Sequence, residues 1–301
     1  MTRSFTFLVN PAAGGGAAPE AVVPVARVLR QAGATVEVTY SPGPQAMRAL
    51  AIEAIERGDV VVSVGGDGML SSLAGLVSGL GGTLGIVPAG RGNDFARMLG
   101  LPASPAQQAS ILLEASPRKV DLLRVGDLLV AGSVYAGVDA RAAAIVDRAR
   151  WVPRSLQYPL AAVRALASYR PGRYRLDVDG TGHEFSAATV VVANSAYYGK
   201  GMKIAPDAGL DDGLLDIVVI EAASRVALIR SLPSVYDGSH VARPEVTVLR
   251  GRRVELSGRA RGPIPVGADG EPLGDLPGLT DPPLVVEVVP GALSVLAPTA
   301  G

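Results

Sequence analysis

The sequence predicts an α/β fold: an N-terminal doubly wound α/β domain followed by a β-rich domain of sandwich type. Three observations lead there. Strand-like and helix-like stretches alternate through the first 125 residues, as they do where a parallel sheet is covered on both faces. Three of those early strands run straight into glycine-rich turns. After Val125 the alternation stops, and short apolar runs separated by turn residues take over. The expected domains are residues 1–126 and 127–290, with residues 291–301 returning to the first.

Taken in order, residues 5–10 read as a strand, 19–32 as a helix and 35–40 as a strand. Residues 45–57 place Ala46, Ala49, Leu50, Ile52, Ala54 and Ile55 on the apolar side of a helix. Residues 60–64 are largely apolar and β-branched, which marks a buried strand. Leu70, Leu73, Leu76, Val77 and Leu80 then give helical spacing. A strand at 84–87, short helices at 93–99 and 105–115, and a strand at 120–125 complete the first half. Gly126-Asp127 reads as a turn between strands at 122–125 and 128–134. Later strands are expected at 174–178, 187–193, 215–220, 246–249, 254–256, 264–266 and 284–289, with helices at 156–169 and 225–235. The Pro/Gly-rich stretch 267–283 reads as ordered turns around a functional element, or as a plain loop.

Composition narrows the function. The 301 residues are 48% hydrophobic, enough for a substantial core. No apolar run reaches the length of a membrane span, and the first residues lack a signal-peptide pattern. There is no cysteine, hence no disulfide framework, thiolate zinc site or cysteine nucleophile. A cytoplasmic location is expected. The two histidines, His183 and His240, are expected in ordinary loop or surface positions. Charges balance at 28 against 28, which argues against a nucleic-acid binder. Locally, residues 141–175 hold eight arginines and one acid, with Trp151, Tyr158, Tyr169 and the apolar spacing Leu156, Leu160, Val163, Leu166. That is either a basic amphipathic segment for peripheral contact with anionic lipid at the inner face of the membrane, or a helix with a solvated basic face. Residues 207–221 carry five acids and no base.

The glycine turns are Asn10-Pro11-Ala12-Ala13-Gly14-Gly15-Gly16, Gly65-Gly66-Asp67-Gly68 and Pro88-Ala89-Gly90-Arg91-Gly92-Asn93-Asp94. Glycine lets backbone approach a ligand closely, and helix starts present N–H groups to phosphate. Three such turns on one parallel sheet suit a polyphosphate. Neither the Gly-Lys-Ser/Thr phosphate loop nor G-x-G-x-x-G after the first strand is present. Asp67 repels a bare phosphate, so it suggests a shared cation or a ribose hydroxyl; the alternative is a tight turn with an Asp cap.

Asn10-Pro11-x-x-Gly14, Gly65-Gly66-Asp67-Gly68 and Gly90-x-x-Asn93-Asp94-Phe95-Ala96-Arg97 resemble, in order, the motifs of the diacylglycerol kinase catalytic family, which includes bacterial soluble lipid kinases and sphingosine kinases. Pro206-Asp207-Ala208-x-Leu210-Asp211-Asp212-Gly213-Leu214-Leu215-Asp216, Ala268-Asp269-Gly270-Glu271 and Pro290-Gly291-Ala292-Leu293 extend the resemblance to nearly the whole chain. It implies an ATP- and Mg²⁺-dependent lipid kinase of phospholipid biosynthesis, acting at the membrane surface, with diacylglycerol as the expected acceptor. The nucleotide site would comprise Asn10, Pro11, Gly14, Tyr40, Ser41, Gly65, Gly66, Asp67, Gly68, Met69, Leu70, Ser71, Ser72, Gly90, Arg91, Asn93 and Asp94. Asp67 would act with Mg²⁺ at the phosphates. A second, structural Mg²⁺ would be held by the Asp212 carboxylate and the carbonyls of Gly209 and Leu214, hard oxygen ligands of the type that ion prefers; an acidic turn without metal is the alternative. Glu271 and Asp269 are the candidates to take the acceptor's proton, with Glu271 favoured and the acceptor entering between the domains. Asp-Gly is also a common hairpin pair.

Two departures stand out. Met69 and Arg91 occupy positions where the family usually has Thr, so a hydroxyl is lost at one and a guanidinium gained at the other. They keep open a weakly active or non-catalytic lipid or nucleotide sensor. An NAD kinase-like enzyme is the other alternative, and oligomeric state is left open, a homodimer included.

Overall fold

The computed structural model describes residues 3–40, 43–142, 157–167 and 170–298. Ser41, Trp151, Leu156 and Tyr169, and with them much of the arginine-rich stretch, lie outside the described residues. The chain forms two units, Met1–Leu122 with Pro290–Gly301, and Leu123–Val289.

In the first unit β1 (Ser4–Val9), β2 (Thr35–Tyr40), β3 (Val60–Gly65) and β4 (Thr83–Pro88) form a parallel sheet ordered β2-β1-β3-β4. Every residue of β3 is buried, Ser63 included, which explains its largely apolar run: a central parallel strand has protein on both faces. Phe5, Phe7 and Val9 of β1 and Val60, Val62 and Val64 of β3 share one core. Val22, Val25 and Leu29 of α1 (Ala18–Gln31) and Ala109 and Leu112 of α5 (Pro105–Glu114) close it. Fully burying a Val, Leu or Phe side chain of this core is worth about 1.5–3 kcal/mol. The other helices are α2 (Pro44–Glu56), α3 (Asp67–Gly79) and α4 (Asp94–Met98). Two further strands complete this sheet. β15 (Leu284–Leu296) lays Ser294 and Val295 parallel to Thr83 and Leu84 of β4, and β5 (Pro117–Val125) runs beside β15. The expected strand end at residue 289 is therefore wrong. β15 continues through Pro290-Gly291, where the Gly291 N–H donates to Asp121 Oδ1 at 2.7 Å.

The second unit is built around β9 (Thr181–Ala193), which pairs antiparallel with β8 (Gly172–Val178), β7 (Ser133–Gly137) and β10 (Leu215–Glu221). β10 continues to β11 (Val246–Gly251), and β8 continues to β12 (Arg253–Arg259) and β15. Val190 and Val192 enter one core with Leu176, Ile217 and Val254, while Val191 and Ala193 enter another with Tyr135 and Val218. That two-sided burial accounts for the apolar run at 187–193. The helices α6 (Gln157–Ala167) and α7 (Arg225–Asp237) also belong to this unit.

Three further expectations are corrected. The strand expected at 128–134 is two strands, β6 (Leu128–Val130) and β7, broken at Ala131-Gly132. The stretch 267–283 contains strand: β13 (Pro265–Ala268) and β14 (Glu271–Asp275) form a hairpin whose first strand pairs with β7. Pro272 is tolerated because β14 is the outer strand of that row. His240 is 1% exposed, not a surface residue. Its Nε2 faces the Ile204 carbonyl at 3.0 Å and its Nδ1 the Ser234 carbonyl at 3.3 Å. Burial pushes its pKa down, against the pull of those carbonyls.

Candidate functional site

In the first unit the three glycine turns meet backbone to backbone. Asn10 leaves β1 with its N–H on the Val64 carbonyl (3.0 Å), and its Oδ1 accepts the Ala12 N–H (3.0 Å). Pro11 is exposed. Gly14, Gly15 and Gly16 then take φ of 62°, 80° and 100°, a left-handed run that L side chains resist. A Cβ on Gly14 would lie 2.4 Å from the Ala89 carbonyl oxygen, so the first turn touches the third. A Cβ on Gly90 would lie 2.3 Å from Gly66 Cα, so the third touches the second. Gly90→Ala is therefore expected to destabilise the first unit by about 1–3 kcal/mol, the usual cost of overpacking, and a urea titration of the variant checks it. An unchanged midpoint would show that the turns can part.

Asp67 and Asn93 lock this arrangement. The Asn93 side chain accepts the Gly90 N–H at 2.9 Å and donates to the Gly90 carbonyl at 3.1 Å. Its own φ of 53° is one that Asn adopts more readily than most residues. Asp67, in the first turn of α3, accepts the N–H groups of Asn93 (2.8 Å), Asp94 (2.7 Å) and Phe95 (3.5 Å), and so caps α4. The N-cap of α3 is Gly66, which supplies no side-chain cap, and a helix start of this kind presents N–H groups to an anion.

The remaining residues expected here divide. Tyr40, at the end of β2, is 49% exposed. Arg91 is exposed, Asp94 is buried, Ser71 is half-buried and Gly68 is half-buried. Ser72 turns its hydroxyl to the Gly68 carbonyl at 3.0 Å. Leu70 is a core residue, 4% exposed, with its N–H on the Gly66 carbonyl. Met69 folds back over Gly65, its Sδ 2.8 Å from where a Cβ on that glycine would stand.

In the second unit, Asp269 and Gly270 form the two-residue loop of the β13–β14 hairpin, with Ala268 opposite Glu271. Their φ values of 45° and 93° are both positive, as the favoured two-residue hairpin turn requires. The two carboxylates differ in setting. Asp269 accepts three buried backbone N–H groups: Ala131 (3.0 Å), Gly132 (3.0 and 3.1 Å) and Ser133 (2.8 Å). Those bonds explain the strand break at Ala131-Gly132, since these amides turn to a side chain. Glu271 is exposed and, among the described residues, has no hydrogen-bond or ion-pair partner.

The acidic loop gathers Gly209, Asp212 and Leu214. Asp212 Oδ1 accepts the Leu214 N–H at 3.0 Å, and its Oδ2 lies 2.9 Å from the position of a Cβ on Gly209. Arg250 bonds Asp212 Oδ2 and also reaches Asp216 Oδ1 at 3.1 Å. Asp216 is 2% exposed, and its buried Oδ2 has no partner. Burial pushes the Asp216 pKa up, with Arg250 opposing. An orphaned carboxylate oxygen beside a second carboxylate is a donor set that a hard divalent ion fits. Among the described residues no group of three or more His, Cys, Asp or Glu could hold a metal ion.

Sequence reasoning missed two roles in these sites. Asp67 also serves as the cap of α4, and Asp269 anchors the loop before β7. An Asp preceding a helix run is a recognisable capping signal, but both partners are distant in sequence.

Comparison with known proteins agrees in both halves. The family model described as "Diacylglycerol kinase catalytic domain" matches residues 4–125, and that described as "YegS C-terminal NAD kinase beta sandwich-like domain" matches residues 132–297. A protein of Mycobacterium tuberculosis named diacylglycerol kinase is 34% identical, covering 98% of this chain and 96% of its own. A Bacillus subtilis protein of the same name is 25% identical over 90% of each. The crystal structure of a diacylglycerol kinase from Bacillus anthracis strain Sterne superposes with a TM-score of 0.72 at 19% identity, covering 99% of this chain and 97% of that one.

Proposed function

This chain belongs to the diacylglycerol kinase family and is a lipid kinase, a phosphotransferase, and from that premise we propose that it transfers the γ-phosphate of ATP to the free hydroxyl of diacylglycerol, giving phosphatidic acid. The observation that carries the reading is the contact of three glycine turns at the strand ends of the first unit. Few ligands other than a polyphosphate use so many closely set backbone N–H groups. Asn10, Gly14, Gly66, Gly68, Gly90 and Arg91 hold the phosphates, and Tyr40 faces the nucleoside.

Phosphoryl transfer asks little covalent chemistry of a protein. The acceptor oxygen forms a bond to Pγ, the bond from Pγ to the β,γ-bridging oxygen breaks, and ADP leaves. Glu271 takes the hydroxyl proton, having no competing partner. Asp269 holds the turn that carries it. Mg²⁺, when bound, offsets the phosphate charge; Asp67 would hold it at the nucleotide, and Asp212, with the Gly209 and Leu214 carbonyls, would hold the structural ion.

A lipid acceptor requires contact with a membrane. No described helix is long and apolar enough to cross one. α6 exposes Leu160 (51%) and Val163 (38%) beside Arg164, apolar and basic groups suited to peripheral docking on anionic lipid. The test is label transfer from γ-labelled ATP to vesicles containing diacylglycerol, with NAD as a parallel acceptor. Label is expected in phosphatidic acid, and chelation of divalent ions is expected to abolish it. Label in NAD alone, or in neither, would overturn the assignment.

A further inference from the structure

We propose that Tyr135 is a positioning residue, whose hydroxyl aims Glu271 by holding the turn before it; this rests on the reading of Glu271 as proton acceptor. Tyr135 lies in the middle of β7 and is 4% exposed. Its hydroxyl oxygen accepts the Gly270 N–H at 3.1 Å. That N–H sits one residue before Glu271, in the left-handed backbone of the loop.

The ring has little freedom to be elsewhere. Tyr135 stands opposite Gly267 in the β7–β13 pairing, and a Cβ on Gly267 would fall 2.7 Å from the ring. The tyrosine therefore lies across the space where a side chain on β13 would stand. The Tyr198 ring packs against it, with centroids 5.9 Å apart. Packing thus fixes the hydroxyl, and the hydroxyl fixes the Gly270 amide.

Glu271 has no partner of its own among the described residues, so its direction is set by the backbone that carries it. That backbone has two side-chain anchors: the Asp269 carboxylate on residues 131–133, and the Tyr135 hydroxyl on Gly270. Misplacing a reacting group by about 1 Å can cost 10²-fold in rate. Loss of one anchor with the other intact is expected to cost less.

The experiment compares Tyr135→Phe and Glu271→Gln with wild type in the vesicle transfer assay, with amide hydrogen exchange followed at Gly270. Phe keeps the ring packing and removes only the hydroxyl. Tyr135→Phe is expected to lower kcat about tenfold, to leave KM for ATP and lipid unchanged, and to speed Gly270 exchange by a similar factor. Wild-type kcat in Tyr135→Phe alongside an inactive Glu271→Gln would overturn the aiming role alone. Full activity in Glu271→Gln would remove the proton acceptor, and the aiming role with it.

Discussion

Glu271→Gln is expected to lower kcat by about 10²–10⁴-fold, the usual contribution of a positioned general base, while the thermal midpoint stays at its wild-type value. The substitution keeps the size and polarity of an exposed side chain and removes only its capacity to take a proton. No hydrogen bond or ion pair of Glu271 is lost among the described residues, so stability has no reason to change. KM for ATP should hold as well, because the nucleotide is assigned to other residues. Steady-state kinetics with both substrates, run beside a melting curve, checks all three. A variant within about threefold of wild type would place the base elsewhere.

Asp269→Asn should behave in the opposite way. Its carboxylate serves the N–H groups of Ala131, Gly132 and Ser133, in a segment where Ala131 and Ser133 are each 1% exposed. An amide keeps one acceptor oxygen and turns an NH₂ toward buried donors, which then lack partners. The expected loss is about 3 kcal/mol of unfolding free energy, typical of a broken buried charge-assisted network. It should appear as a lowered urea midpoint with an unchanged slope. Activity should fall too, because the turn before Glu271 loses an anchor. Wild-type stability with abolished turnover would instead make Asp269 a chemical participant. The pair of variants separates two carboxylates that stand two residues apart.

The first unit was legible because its strands follow simple patterns, a largely apolar run in β3 and alternation in β2. Residues 60–64 have the length and β-branched content of a buried strand, and the glycine clusters that end the early strands announce turns. What those turns touch was not legible. The contact of Gly66 with Gly90 joins residues 24 positions apart, and no local pattern encodes it. The second unit shows the limit more clearly. Leu128 to Val134 reads as one apolar strand, yet it breaks where an aspartate 137 positions away claims the Gly132 amide. The opposite error occurred at Glu271–Asp275, where the Pro/Gly-rich stretch 267–283 reads as turns or a loop although β13 supplies a pairing partner. In the site itself, glycines, carboxylates and Asn93 were recognisable from residue type. Tyr135 was not, because a tyrosine within an apolar run reads as core until its hydroxyl is seen against Gly270.

The late return of β15 bears on how the protein is made. Leu293, Val295, Leu296 and Ala297 are buried in the first unit, and Ser294 and Val295 pair with β4, which is made some two hundred residues earlier. During synthesis the β4 edge must therefore wait, unpaired on that side, while the whole second unit emerges from the ribosome. An exposed parallel edge is a place where nascent chains stick to one another. Chaperone demand should accordingly peak in this interval, and a stall after residue 289 should leave the first unit open however well the second has folded.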